Sequence, residues 1–198
     1  MNASRRPRAR ELLLALAFGL GLGLGFGPAA SASDPAAAGA PPDRAAPGEL
    51  RVMTFNIRYG TAPDGENAWE KRRELLVETI RAFQPDVLGT QECLAGQAEF
   101  LRGALPGYGC VGVGRDDGKL AGEMCAVFYR EDRLQLAAEG HFWLSETPEI
   151  AGSRGWDAAL PRIVSWARLR DRADTLRTLV CFDTHFDHVS AVIGTPRS

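Results

Sequence analysis

Three short apolar segments end in polar side chains at matching positions, and this pattern constrains the chain more than any other feature. Residues 178–182 (Thr-Leu-Val-Cys-Phe) run into Asp183, Thr184, His185, Phe186, Asp187 and His188. Val52-Met53-Thr54-Phe55 runs into Asn56, and Asp86-Val87-Leu88-Gly89-Thr90-Gln91 runs into Glu92. Short apolar runs bounded by polar residues read as strands of a sheet core. Ends in Asn, Glu and His predict one polar site at a common sheet edge. Such a set suits a hard divalent cation and an anionic substrate better than it suits packing.

The first 32 of the 198 residues read differently from a folded domain. Arg5, Arg6, Arg8 and Arg10 precede an apolar run of 15 residues, 12–26, and Ala30-Ser31-Ala32 supplies small residues for cleavage. Basic, apolar and small in that order is a secretory signal peptide, and the expected location is secreted or periplasmic. The alternative is a membrane anchor formed by residues 12–26. Spanning takes roughly 18 or more apolar residues, and the Leu-Gly alternation weakens a helix, so no stable insertion is expected after cleavage. Removal of residues 1–32 takes the net charge from −2 to −5 and leaves 166 residues, enough for one domain. A mildly acidic domain is not an obvious binder of long nucleic acid, and an anionic substrate would need a local cation. Cys93, Cys110, Cys125 and Cys181 fit no zinc spacing; three of them lie in apolar runs, where a buried thiol is the expected state.

Residues 33–48, rich in Ala, Pro and Gly, read as a flexible linker. From 49 onward the pattern predicts a strand over 50–57, a helix over 70–83, a strand ending at Glu92 and a helix over 97–105. Leu75, Leu76, Thr79, Ile80 and Phe83 are the expected inner face of the first helix, and Pro85 stops it. Strands are then expected over 108–113, 123–129, 134–144, 163–169 and 178–182. Two βα-type units followed by a run of strands predict an α+β domain with a sheet-on-sheet core.

Glu92 ends an otherwise apolar or small strand, where a carboxylate is costly unless paired or bound to a cation; a surface carboxylate past the strand end is the alternative. Asn56 draws its weight from the equivalent position. His185 shares a strand face with Asp183, and a His held by a carboxylate suits proton transfer or contact with a phosphoryl oxygen; a core His satisfied by Asp187 is the alternative. Arg162 reads as a phosphate clamp or a residue on a solvated edge. The loop 112–123, with Gly112, Gly114, Asp116, Asp117, Gly118 and Gly122, reads as a close approach to a ligand or an ordinary hairpin loop.

Thr54-Phe55-Asn56-Ile57-Arg58, Gln84-Pro85-Asp86-Val87-Leu88-Gly89-Thr90-Gln91-Glu92 and Thr184-His185-Phe186-Asp187-His188 resemble the opening motifs of the endonuclease/exonuclease/phosphatase superfamily, the DNase I-like fold. Gly112-Val113-Gly114-Arg115-Asp116-Asp117-Gly118, Trp143-Leu144-Ser145-Glu146-Thr147-Pro148 and Gly155-Trp156-Asp157-Ala158-Ala159-Leu160-Pro161-Arg162 resemble its secreted bacterial members. The resemblance covers about residues 50–190 and implies a four-layer α/β/β/α sandwich and Mg²⁺- or Mn²⁺-dependent hydrolysis of phosphoesters, by a monomer. It assigns metal binding to Glu92 and Asn56, with Asn56 also beside the scissile phosphate. It assigns phosphate contact to His185, an auxiliary acidic role to Glu123 and substrate contact to Arg162. Two later motifs of the family, Gly-Asp-Phe-Asn and Ser-Asp-His, are absent from the 198 residues. The fold is therefore expected to be incomplete, with an exposed edge on the second sheet. A catalytically silent fragment or pseudoenzyme is the alternative to an active hydrolase.

Overall fold

Residues 10–18 and 49–187 are described by a computed structural model. The elements run β1 (Arg10–Phe18), β2 (Val52–Asn56), α1 (Trp69–Phe83), β3 (Val87–Cys93), α2 (Ala95–Ala104), β4 (Tyr108–Val111), β5 (Met124–Arg130), β6 (Leu134–Trp143), β7 (Ile163–Asp171) and β8 (Arg177–His185). They make two four-stranded sheets, ordered β2-β3-β5-β4 and β1-β8-β7-β6. Both sheets are mixed: β2 and β3 run parallel, as do β1 and β8, while the other neighbours are antiparallel.

The two helices pack on the outer face of the first sheet. Leu76, Val77 and Ile80 of α1 and Leu101 of α2 meet Leu88 of β3 and Phe128 of β5 in one core. A second core lies between the sheets, where Val87, Val127 and Tyr129 face Leu169, Leu179 and Cys181. The first sheet is thus covered on both faces, and its strands read as continuous apolar runs for that reason. Helix, sheet and sheet give three of the four expected layers among the described residues.

Most predicted elements agree with the structure to within a residue or three at each end. The inner face of α1 is a correction. Trp69, Leu76, Val77 and Ile80 are buried, whereas Leu75 and Phe83 are 66% and 36% exposed. Trp69 at the first helical position anchors that face by an edge-to-face contact with Phe100 of α2. Gln84 ends the helix in the left-handed region at φ 53°, its N–H donating to the Ile80 carbonyl, and Pro85 follows.

The second sheet is open, with β1 and β6 as its outer strands. β1 lies along β8 in parallel, from Arg10 opposite Arg177 to Phe18 opposite His185. This segment overlaps the run predicted as part of a signal peptide or anchor; residues 1–9, 19–48 and His188 lie outside the described residues. No helix among the described residues is long and apolar enough to cross a membrane.

Candidate active site

Parallel pairing of β2 with β3 sets Asn56 opposite Gln91, so the C-terminal ends of these two strands share one edge. There β3 is irregular. Thr90 pairs with Ala126 and Cys93 with Met124, so β3 carries one residue more than β5 between those pairs. Glu92 sits in that bulge at φ 58°, a left-handed conformation that costs a Glu about 1–3 kcal/mol. The bulge aims its carboxylate at Asn56, whose Nδ2 donates to Glu92 Oε1 at 2.8 Å; the Tyr59 N–H donates to Oε2 at 3.2 Å. Asn56 Oδ1 accepts the Arg58 N–H at 3.0 Å, which fixes the amide's orientation.

The loop after β2 is tied down by both helices. Arg72 of α1 donates to the carbonyls of Ile57, Arg58 and Asn67. Gln97, in the first turn of α2, accepts the N–H of Leu94 and of Gly60 and donates to the Arg58 carbonyl. One glutamine side chain therefore caps a helix and holds the site loop.

From the other side come β5 and β8. Glu123 precedes β5, and its Oε2 accepts from Arg115 at 2.7 Å and lies 4.0 Å from His185 Nδ1. Burial pushes the Glu123 carboxyl above the usual carboxylate range; Arg115 opposes that shift, and the negative charge of Glu92 adds to it. Glu92, Arg115, Glu123, Arg162 and His185 line one small cleft. All five residues named from the sequence, Asn56 included, gather at this edge.

The two aspartates considered as partners of His185 make other contacts. Asp187, the partner in the alternative reading of a core His, binds Arg162, whose Nε and Nη2 donate to its Oδ1 at 3.1 and 2.8 Å. Arg162 is 2% exposed rather than solvated, and its Nη1 also reaches the His185 carbonyl at 3.4 Å. Asp183 shares the face of His185 but turns into the sandwich, where its Oδ1 accepts from Gln91 at 2.6 Å. A carboxylate that faces His185 comes instead from Glu123, just before β5. Arg115 escaped the sequence reading; its only signal was its place in the Gly- and Asp-rich loop. That loop folds on itself, with the N–H groups of Lys119 and Ala121 donating to Asp117.

Among the described residues no group of three or more His, Cys, Asp or Glu side chains forms a cation cage. A hard cation such as Mg²⁺ keeps several waters and takes one or two carboxylates together with substrate oxygens. Glu92 beside an amide, with Glu123 close enough to feel its charge, fits that limited demand.

A model of the Endonuclease/Exonuclease/phosphatase family matches residues 53–181. Among solved structures, an endonuclease/exonuclease/phosphatase from Bacteroides vulgatus is 42% identical with a TM-score of 0.69, covering 71% of this chain and 54% of that one. A Bacteroides thetaiotaomicron mannosyl-6-phosphatase is 39% identical with a TM-score of 0.69, covering 73% of this chain and 54% of that one. Nocturnin of Xenopus laevis is 31% identical over 122 residues, 50% of this chain and 30% of its own length. The chain spans about half the length of the solved relatives it matches.

Proposed function

Because this chain belongs to the endonuclease/exonuclease/phosphatase family, we propose that it is an exported hydrolase of phosphoesters that depends on Mg²⁺ or Mn²⁺. The observation that carries the reading is Glu92: a carboxylate in strained backbone, held by Asn56 and a backbone N–H, within the field of Glu123. Glu92 and Asn56 would hold the ion, which when bound polarises a phosphoryl oxygen. Arg162 and His185 line the same cleft and offer positive charge and N–H donors to the oxygens on which charge develops. Arg162 is immobilised by Asp187 and so needs little reordering when a phosphate arrives. Glu123, pushed toward its neutral form by burial and by Glu92, is suited to exchange a proton with His185 or with the substrate. The Bacteroides mannosyl-6-phosphatase supports a phosphorylated sugar as the first substrate class to try.

A second reading is a domain that binds a phosphorylated ligand without turnover. Arg162 and His185, which line the same cleft, would serve such binding without any chemical step. Hydrolysis of sugar phosphates and phosphodiesters with Mg²⁺, and again with chelator, separates the two. Metal-dependent turnover that falls at least about 100-fold in Glu92→Ala and in His185→Ala supports catalysis. No turnover of any substrate by the intact chain supports the silent domain.

A further inference from the structure

Beneath the site edge lies a polar network whose members precede the site residues on three strands. Gln91, one residue before Glu92, donates from Nε2 to Asp183 Oδ1 at 2.6 Å and to Thr54 Oγ1 at 3.2 Å. Thr54 is two residues before Asn56 on β2, and Asp183 is two before His185 on β8. The network crosses from one sheet to the other at the depth of the sandwich core, where Gln91 and Asp183 are both 0% exposed.

Two atoms of this pair lack a hydrogen-bond partner in the structure: Gln91 Oε1 and Asp183 Oδ2. Buried polar atoms are rarely left so. As a carboxylate, Asp183 has only acceptors and nothing to give Gln91 Oε1. As a carboxylic acid, it carries the one O–H that satisfies both orphans together, closing a ring in which the amide donates to Oδ1 and Oδ2 donates to the amide oxygen. Ser165, opposite Asp183 on β7, also has a buried hydroxyl without a partner. A water joining these atoms would fill their hydrogen bonds but leave a negative charge buried without a cation. The groups acting on the carboxyl are the Gln91 amide and the N–H of Thr90 and Thr184, and burial outweighs them, raising it well above the carboxylate range. The titratable groups that face it are thiols, Cys93 from β3, Cys125 from β5 and Cys181 from β8, and none of these is cationic.

We propose that Asp183 is a neutral carboxylic acid paired with the Gln91 amide across the two sheets, and that this pair is the positioning device setting Glu92 and His185 against each other. The inference rests on the site reading above only for what is being positioned. Neither readout below requires turnover, so a silent site and a failed pairing give different results.

Asp183→Asn supplies the same ring as a permanently neutral amide pair. A group protonated in the folded chain but ionised in the unfolded one lends stability at low pH and loses it as pH rises through its folded-state pKa. The stability of Asp183→Asn relative to wild type should therefore grow, in the variant's favour, when urea unfolding is followed from about pH 5 to about pH 9. A difference that stays constant with pH overturns the neutral acid. Positioning is read from the His185 ring resonances by NMR. Asp183→Leu should shift them and Asp183→Asn should restore the wild-type shifts; should the Leu variant fail to fold, Gln91→Met serves in its place. Stability lost with His185 resonances unmoved would reduce the pair to a structural tie and overturn its positioning role.

Discussion

β3 has a carboxylate at each end, and the two live under different rules. Asp86, just before the strand, is fully buried and charge-compensated: its Oδ2 accepts the Arg51 N–H at 2.8 Å and Arg133 at 2.9 Å, while Arg130 lies 3.5 Å from its Oδ1, which has no hydrogen bond. Two cations and a backbone donor surround one negative charge, with no backbone strain. Glu92, at the other end, sits at φ 58° with neutral donors at hydrogen-bond distance, Arg58 no nearer than 4.0 Å, and a second carboxylate in its field. One end is arranged for stability. The other carries strain and like-charge repulsion that folding alone does not require, which is the pattern of a binding site. The difference between a structural and a functional acid is therefore in its compensation rather than its burial.

The largest expected effect comes from breaking the charge-compensated end. Asp86→Ala leaves two arginines without their buried counter-charge and should cost about 3–5 kcal/mol in urea unfolding. A loss below about 1 kcal/mol, the scale of an exposed ion pair, would erase the contrast. Glu92→Ala should do the reverse. Removing a carboxylate that Glu123 repels should leave stability within about 0.5 kcal/mol of wild type or raise it. A large destabilisation by Glu92→Ala would make both ends structural.

The smallest effect sharpens the picture of the core around the site. Burial pushes the Cys93 and Cys181 thiols up to about 12, and it also raises Cys125 well above its ordinary value. Cys110 is raised too but is only half-buried. Alkylation under native conditions, read by mass spectrometry, should label Cys110 first and the other three only as the chain unfolds. Rapid labelling of Cys93, next to Glu92, would mean that the bulged end of β3 opens more readily than its packing implies.

Much of this was legible in the sequence because the first sheet is covered on both faces. Strands buried that way are apolar throughout, so a polar terminus such as Asn56 or Glu92 stands out against its own strand. The family motifs were legible for the same reason. Partnerships across long loops were not. Arg162 meets Asp187 because the start of β7 and the end of β8 lie together in space, and nothing local to Arg162 distinguishes a buried clamp from a solvated edge. The bulge at Glu92 was hidden as well, since its extra residue is defined only against β5. Residues 10–18 show the limit of pattern alone, because a leucine-rich run reads equally as a signal segment or as a strand, and pairing with β8 is a fact about a partner 167 residues away.

The most direct test of the central claim, that Asn56, Glu92, Glu123, Arg162 and His185 form one cation-dependent phosphoester site, is Mn²⁺ binding to the intact chain followed by electron paramagnetic resonance. One ion should bind per chain, and Glu92→Gln should weaken it at least about tenfold, while Asp187→Asn, which touches Arg162 rather than the ion, should not. Equal Mn²⁺ affinity in wild type and Glu92→Gln would contradict the account.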